Sequence, residues 1–247
     1  MDDLPNRGHA RVVDLGVVDL LRADDLITHL ADLRQQDAVP DVVLMLSYNP
    51  CLSVGVRQMD PADFLKPLDY FTRLHIPLHK SVRGGGLSYH WPGQLICYPI
   101  LKLHEDEKNI PRYMYKLEQI GLDTLAELGV HAARKRDQTA QIGLWVNNSK
   151  VASMGIRISR WVTSYGFALN LTGDTSPSQF IRPCGLDNVN LTTVEQLTGK
   201  SPDRDDVKQR VMGHFESQFQ RTLHVEQVNW LGEQGIVYEY GRRNIRA

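Results

Sequence analysis

The stretch QIGLWVNNSKVASMGIRISRWVTSYGFALNL, residues 141–171, reads as three β-strands in succession. Its parts QIGLWV (141–146), KVASMGIRI (150–158) and WVTSYGFALNL (161–171) are rich in β-branched and aromatic residues. The linkers between them, Asn147-Asn148 and Ser159-Arg160, have hairpin length. Strands joined by such short turns run antiparallel, so an antiparallel meander anchors the fold.

On either side the hydrophobic period changes. RVVDLGVV (11–18) is a strand leading into the helix 19–36, where Leu20, Leu26, Leu30 and Leu33 share a face, and DVVLMLS (41–47) has the continuous apolar character of a buried strand. Asp60 before Pro61 signals a helix start, and Pro67 interrupts that helix. Residues 109–129 form a long amphipathic helix ending at Gly129. A capping box is expected from Thr192 to Glu195, and a helix over 203–223 carries Val207, Val211, Phe215 and Phe219 on one stripe. Strands interspersed with helices, with no repeat or flexible linker to divide them, imply one α/β domain spanning 1–247.

Composition excludes several classes. The 247 residues carry 28 Lys+Arg against 29 Asp+Glu, a formal net charge of -1, so bulk charge favours neither nucleic acid nor an anionic membrane. The three cysteines, Cys51, Cys97 and Cys184, have no CxxC spacing, which argues against a disulfide framework or a metal site and fits reduced thiols in a cytoplasmic protein. The opening MDDLPNRGHARVV resembles neither a secretory signal nor a membrane span.

Chemistry concentrates in three places. Cys184 lies between Pro183 and Gly185, a setting that presents a sulfur on a turn, although a lone cysteine is more often an inert core residue. Lys150 opens a strand directly after a turn; a solvated strand end is the plainer reading, while an ammonium beside a thiol would favour the thiolate. RGGGLSYHWPGQLICYPI (83–100) places three glycines and His90 before an apolar run. It is neither a Walker A loop nor GxGxxG, but bare backbone of this kind admits an extended apolar ligand.

Taken together, RGGGLSYHWPGQLICYPI, KVASMGIRISRWVTSYGFALNL and IRPCGLDNVNLTTV resemble the signature blocks of the lipoyl(octanoyl) transferases of lipoate biosynthesis, and VLMLSYNPCLSVGVR (43–57) extends the likeness. The resemblance implies a mixed, largely antiparallel sheet flanked by helices, like that of biotin and lipoate protein ligases. It implies octanoyl transfer from acyl carrier protein to a lysine of lipoyl domains, in 2-oxoacid dehydrogenases and the glycine cleavage H protein, with no metal, ATP or other cofactor. Cys184 matches the acyl-thioester nucleophile and Lys150 the lysine that activates it. Arg83, Gly84, Gly85, Gly86, Leu87, Ser88, Tyr89 and His90 match the first substrate-binding stretch. Ser153, Met154 and Gly155 match the second, and Gly166, Phe167 and Ala168 the third.

Some positions depart from the family pattern. Ser88 stands where threonine is common, Trp91 where glycine is usual, Tyr165 where histidine is usual, and LSYNP replaces a more typical Glu-His before the proline; with Trp91 and Tyr165 the shape of the acyl pocket is expected to differ. Arg134, Lys135 and Arg136 of ARKRD offer either local recognition of an acidic donor protein or a solvated loop. Two rival functions remain: an ATP-dependent lipoate or biotin ligase of the same fold, which needs no cysteine nucleophile, and a non-catalytic acyl-protein binder.

Overall fold

The computed structural model describes residues 8–57, 60–135, 142–182 and 189–236. Its strands are β1 (His9–Val18), β2 (Asp41–Tyr48), β3 (Cys51–Val54), β4 (Leu78–Lys80), β5 (Leu87–His90), β6 (Gln94–Ile100), β7 (Ala133–Arg134), β8 (Gly143–Val146), β9 (Ser149–Ser159), β10 (Val162–Asn170), β11 (Asn190–Leu191) and β12 (Thr222–Glu226). The helices are α1 (Leu20–Gln35), α2 (Leu68–Arg73), α3 (Ile110–Glu127), α4 (Val194–Thr198), α5 (Arg204–Phe219) and α6 (Asn229–Glu233).

Among the described residues the main sheet runs β12-β1-β2-β6-β10-β9-β8-β7, with β11 added on β9, and a small second sheet runs β4-β3-β5. The first three strands of the main sheet are parallel, and from β2 to β7 every pairing is antiparallel. This is the mixed, largely antiparallel sheet flanked by helices that the sequence led us to expect.

Each face of the sheet has its own core. On one, α1 buries Leu20, Ala23, Leu26, Ile27 and Leu30 against Val42, Leu44 and Ile96, with Trp230 and Leu231 of α6 alongside. On the other, Leu117, Ile120 and Leu125 of α3 and Val207, Val211, Phe215 and Phe219 of α5 cover Val43, Met45, Cys97 and Phe167. A strand covered on both faces must be apolar throughout, which is why β2 and β10 are buried at every position.

Local signals set the boundaries. Asp19 caps α1 and Asn109 caps α3, Asp60 caps a short 3-10 turn at Pro61–Asp63, and α2 starts only after Pro67. The second hairpin turn falls one residue later than expected. Ser159 still pairs with Val162, so Arg160 and Trp161 form the turn, both at positive φ. The capping box also lies one residue on, at Thr193 and Gln196, because the backbone N–H of Thr192 is already bound to the Lys150 carbonyl.

The last long helix stops at Phe219 rather than 223. Gln220 turns left-handed, and the chain enters β12 beside β1. Arg221 explains the break. Its buried guanidinium takes Asp41 through Nε at 2.8 Å and both Glu107 oxygens at 2.9 and 2.8 Å. A charge so deep in the protein is tolerated only when fully partnered, and these carboxylates belong to β2 and to the segment before α3.

Candidate active site

Lys150 is buried near the start of β9. Its ammonium donates to the Ile142 carbonyl at 3.2 Å and lies 4.8 Å from the centre of the Trp145 ring. An ammonium taken from water is held by carbonyl oxygens and aromatic faces, and this one has both. It is therefore not the solvated strand end that its sequence setting favours.

Lys150 also marks a change of neighbour in the sheet. Pairing between β10 and β9 runs as far as Leu169 with Ala152. Beyond it β11 pairs with β9 in parallel, Asn190 beside Ser149 and Leu191 beside Lys150. Cys184, with Pro183 and Gly185, lies outside the described residues. The described chain ends at Arg182 and resumes at Val189, one residue before the strand that pairs with the lysine.

The second and third stretches matched to substrate binding meet on β9 and β10, and the first reaches them through its glycine loop. Ser153, Met154 and Gly155 are the cross-strand partners of Ala168, Phe167 and Gly166. Gly143, Ser153, Ala168 and Ile96 follow one another across four strands, and partners directly opposite share a face. Ala168 and Ile96 belong to the α1 side, so this row places a glycine, a serine and an alanine on that face. Roughly 10 Å of β9 separates Ser153 from Lys150 at about 3.3 Å per residue. Met154 and Phe167 pack on the opposite face against the α3 core, so of their stretches Ser153, Gly155 and Ala168 form a strip of small residues on the α1 face.

The glycine loop is pinned over this strip. The Gly84 N–H donates to the Ile156 carbonyl at 3.0 Å, and the Gly84 carbonyl would lie 3.0 Å from a Cβ on Gly155. Gly85 has φ +86°, a conformation open to glycine, and the Gly86 carbonyl accepts from Gly55 N at 3.2 Å and Arg83 Nη2 at 2.9 Å. What approaches the bare backbone here is the protein's own chain, β9 and the Gly55 turn.

From this loop a chain of buried hydrogen bonds reaches Lys150. Arg83 Nε donates to Ser53 Oγ at 3.2 Å, and Ser53 lies 3.0 Å from His90 Nε2. His90 Nδ1 meets Gln94 Oε1 at 2.9 Å, and Gln94 Nε2 donates to Asn170 Oδ1 at 3.0 Å. Asn170 Nδ2 then donates to two carbonyls, Lys150 at 3.2 Å and Thr192 at 3.0 Å. A carbonyl only accepts, so the Asn170 and Gln94 amides are oriented and Gln94 Oε1 accepts from a proton on His90 Nδ1; in the neutral ring Nε2 then accepts from Ser53. Burial above all, helped by the Arg83 charge, lowers the His90 pKa to about 3, so the ring is neutral at working pH.

Other expected positions serve packing. Leu87 and Tyr89 belong to the core of the small sheet, and Ser88 pairs with Ser53 across it. Trp91 stacks on Tyr89 at 5.3 Å and donates its indole N–H to the Thr172 carbonyl at 2.7 Å. Tyr165, at φ +57°, breaks the alternation of β10 and turns to the α1 side, where its ring meets Tyr98 at 5.4 Å. Tyr48 of LSYNP lies in the same cluster, 6.5 Å from Tyr98 and 5.3 Å from His90. Arg134 is held against α3, donating to the buried Glu118 at 2.9 Å and lying over Tyr115, so it is not a solvated loop residue. Lys135 donates to Asn148, and Arg136 lies outside the described residues.

Sequence patterns did not single out Ser53, Gln94, Asn170 or the role of Thr192 here. The available signal was a polar side chain within an otherwise apolar strand, as at Ser53 in CLSV and Asn170 in GFALNL.

Residues 22–216 match the family model described as the lipoyl protein ligase A/B catalytic domain. The chain belongs to that family. An octanoyltransferase of Solibacter usitatus is 37% identical over 201 residues, 81% of this chain and 89% of its own, and such relatives place this lipoyl protein ligase A/B chain among acyltransferases. The fold is shared with the putative lipoate protein ligase Ta0514 of T. acidophilum, solved with lipoic acid, at TM-score 0.71 and 14% identity over 89% of each chain. It is shared more loosely with the biotin protein ligase of Aquifex aeolicus, at TM-score 0.50 and 14% identity over 86% of this chain and 69% of that one. Among the described residues, no helix of this family member is long and apolar enough to cross a membrane.

Proposed function

We propose that this protein is an octanoyltransferase that moves an octanoyl group from acyl carrier protein to a lysine of a lipoyl domain by way of a thioester on Cys184. The observation that carries the reading is the pairing of β11, the strand after the Pro-Cys-Gly block, with the segment that holds the buried Lys150. The other two cysteines are poor nucleophiles. Cys51 is buried and its thiol is pushed up to about 12, and burial raises the Cys97 thiol as well.

In the first half-reaction Lys150 takes the Cys184 proton. The thiolate attacks the thioester carbonyl, and the donor's sulfur leaves with the proton returned by the Lys150 ammonium. In the second, neutral Lys150 takes a proton from the incoming amine as it attacks the acyl-enzyme. The amide forms, and Cys184 leaves as a thiolate beside the new ammonium. Covalent catalysis of this kind lets two large protein partners visit in turn. The acyl chain lies along Ser153 and Ala168, with the glycine loop closing the strip at Gly155, and the protein works in the cytoplasm.

Incubation with octanoyl-acyl carrier protein should add one octanoyl group by intact mass, removable by hydroxylamine and absent in Cys184→Ser. An adduct on Cys51 or Cys97, or turnover that requires free octanoate and ATP, would reject the mechanism.

A further inference from the structure

We infer that Asn170 is a positioning residue that holds β11, the strand that follows the Cys184 block, against Lys150. The inference rests on the Cys184–Lys150 pair proposed above. Its own ground is the junction where β9 exchanges one neighbour for another. Asn170 is the last residue of β10, just past the point where that strand stops pairing with β9, and it is completely buried. β11, which takes over the same edge, is two residues long. A strand so short makes few ladder bonds of its own, and just beyond it the Thr192 N–H donates to the Lys150 carbonyl at 3.1 Å.

The Asn170 amide group supplies what the ladder lacks. Its two N–H donors bridge the Lys150 carbonyl on one strand and the Thr192 carbonyl just beyond the other. Its oxygen is held by Gln94, whose own carbonyl accepts from Ser47 Oγ at 2.6 Å and Arg204 Nη1 at 2.7 Å. The clasp is thus fixed from the rear to a main-chain position that does not move with β11. A side chain gripping two carbonyls can be neither rotated nor shortened without releasing one of them, and a buried oxygen then loses a donor.

Reacting groups are sensitive to such placement, because an error of about 1 Å costs roughly 100-fold in rate. Releasing β11 would loosen from Lys150 the strand that follows the nucleophile, while the acyl strip, built from β9 and β10, stays intact. The signature is a loss in kcat with little change in KM for the acyl donor, together with a less acidic Cys184 thiol.

The test compares Asn170→Asp, Gln94→Met and Lys150→Ala in the full chain. Asn170→Asp keeps the shape and loses both donors. Gln94→Met leaves Asn170 in place, frees its amide to turn, and decides the matter alone if Asn170→Asp does not fold. Alkylation of Cys184 by iodoacetamide is followed against pH, beside octanoyl transfer from octanoyl-acyl carrier protein. Both clasp variants should lower kcat by about 10- to 100-fold and raise the alkylation midpoint toward that of Lys150→Ala. A shift in Lys150→Ala with none in Gln94→Met would overturn the positioning role and leave the pair standing. No shift in Lys150→Ala would overturn the pair itself, and the role of Asn170 with it.

Discussion

His90 Nε2 and Ser53 Oγ lie 3.0 Å apart in a site closed to water, with the Arg83 guanidinium on the far side of the hydroxyl. The neutral His90 ring accepts the serine proton at Nε2, and a second proton on the ring would bury a charge beside the Arg83 guanidinium.

Stability should therefore depend on pH through His90. Its folded pKa is lowered from 6.5 to about 3, so its contribution is complete above pH 6.5 and is lost as pH falls toward 3, where the unfolded chain binds a proton that the fold refuses. The slope is about 1.4 kcal/mol per pH unit in that window. Urea titrations at pH 7, 5.5 and 4.5 should show His90→Gln less stable than wild type at pH 7 yet flatter with acid. An equal slope in both proteins would mean that His90 is not the group responsible.

The glycine loop gives a steric prediction. A Cβ on Gly84 would stand 2.7 Å from the Ile156 carbonyl oxygen, a backbone atom that cannot swing aside. Gly84→Ala should lift the loop from β9, destabilise the fold by about 1–3 kcal/mol and raise KM for octanoyl-acyl carrier protein more than it lowers kcat. Gly129→Ala is the control for strain away from the site, since that position has φ +78° and open space around it. Equal KM values in the two variants would show that the loop does not shape the acyl strip.

Lys150→Arg separates charge from proton transfer. Arginine keeps a cation near the Trp145 ring but gives up no proton at working pH. Self-acylation of Cys184 should survive in part, while transfer onward to a lipoyl domain falls by about 100-fold or more, within the range for loss of a general base. Stopped-flow acylation and single-turnover transfer, measured separately, would contradict this if both steps slowed equally.

Arg221→Met tests the cluster that ends α5. Removing the guanidinium takes from the buried Glu107 and Asp41 a shared cation, Asp41 keeping Arg34 at 2.7 Å, and the expected loss is about 3 kcal/mol. Acid should restore part of it by protonating a carboxylate. A variant with unchanged urea midpoint would show that Arg221 is not needed to turn the chain into β12.

Much of this architecture is legible in order along the chain. The meander, the helix that becomes α1, the long helix α3 toward Gly129, and the break at Pro67 follow from period and proline, which act over a few residues. The three stretches around Arg83, Ser153 and Gly166 stand out by composition and motif, but their meeting does not. That Gly84 rests on Ile156, and that Met154 and Phe167 turn away from the strip, depends on register and on the left-handed Tyr165 in β10.

Tertiary structure alone decided the rest. Thr192 reads as a helix cap because the pattern that suggests a cap is local, while the bond that claims its N–H comes from Lys150, far back along the chain. Helix period likewise carries α5 past Phe219, since it too is a local property and the carboxylates that capture Arg221 lie far away at Asp41 and Glu107. Asn170 is only a strand's polar end until β11 is laid beside β9. Caps, turns and periods act between neighbours in the chain, and so the sequence shows them except where a distant partner overrides them. Buried hydrogen bonds and ion pairs join residues that only the folded sheet brings together, and their partners could be known from nothing less than the fold.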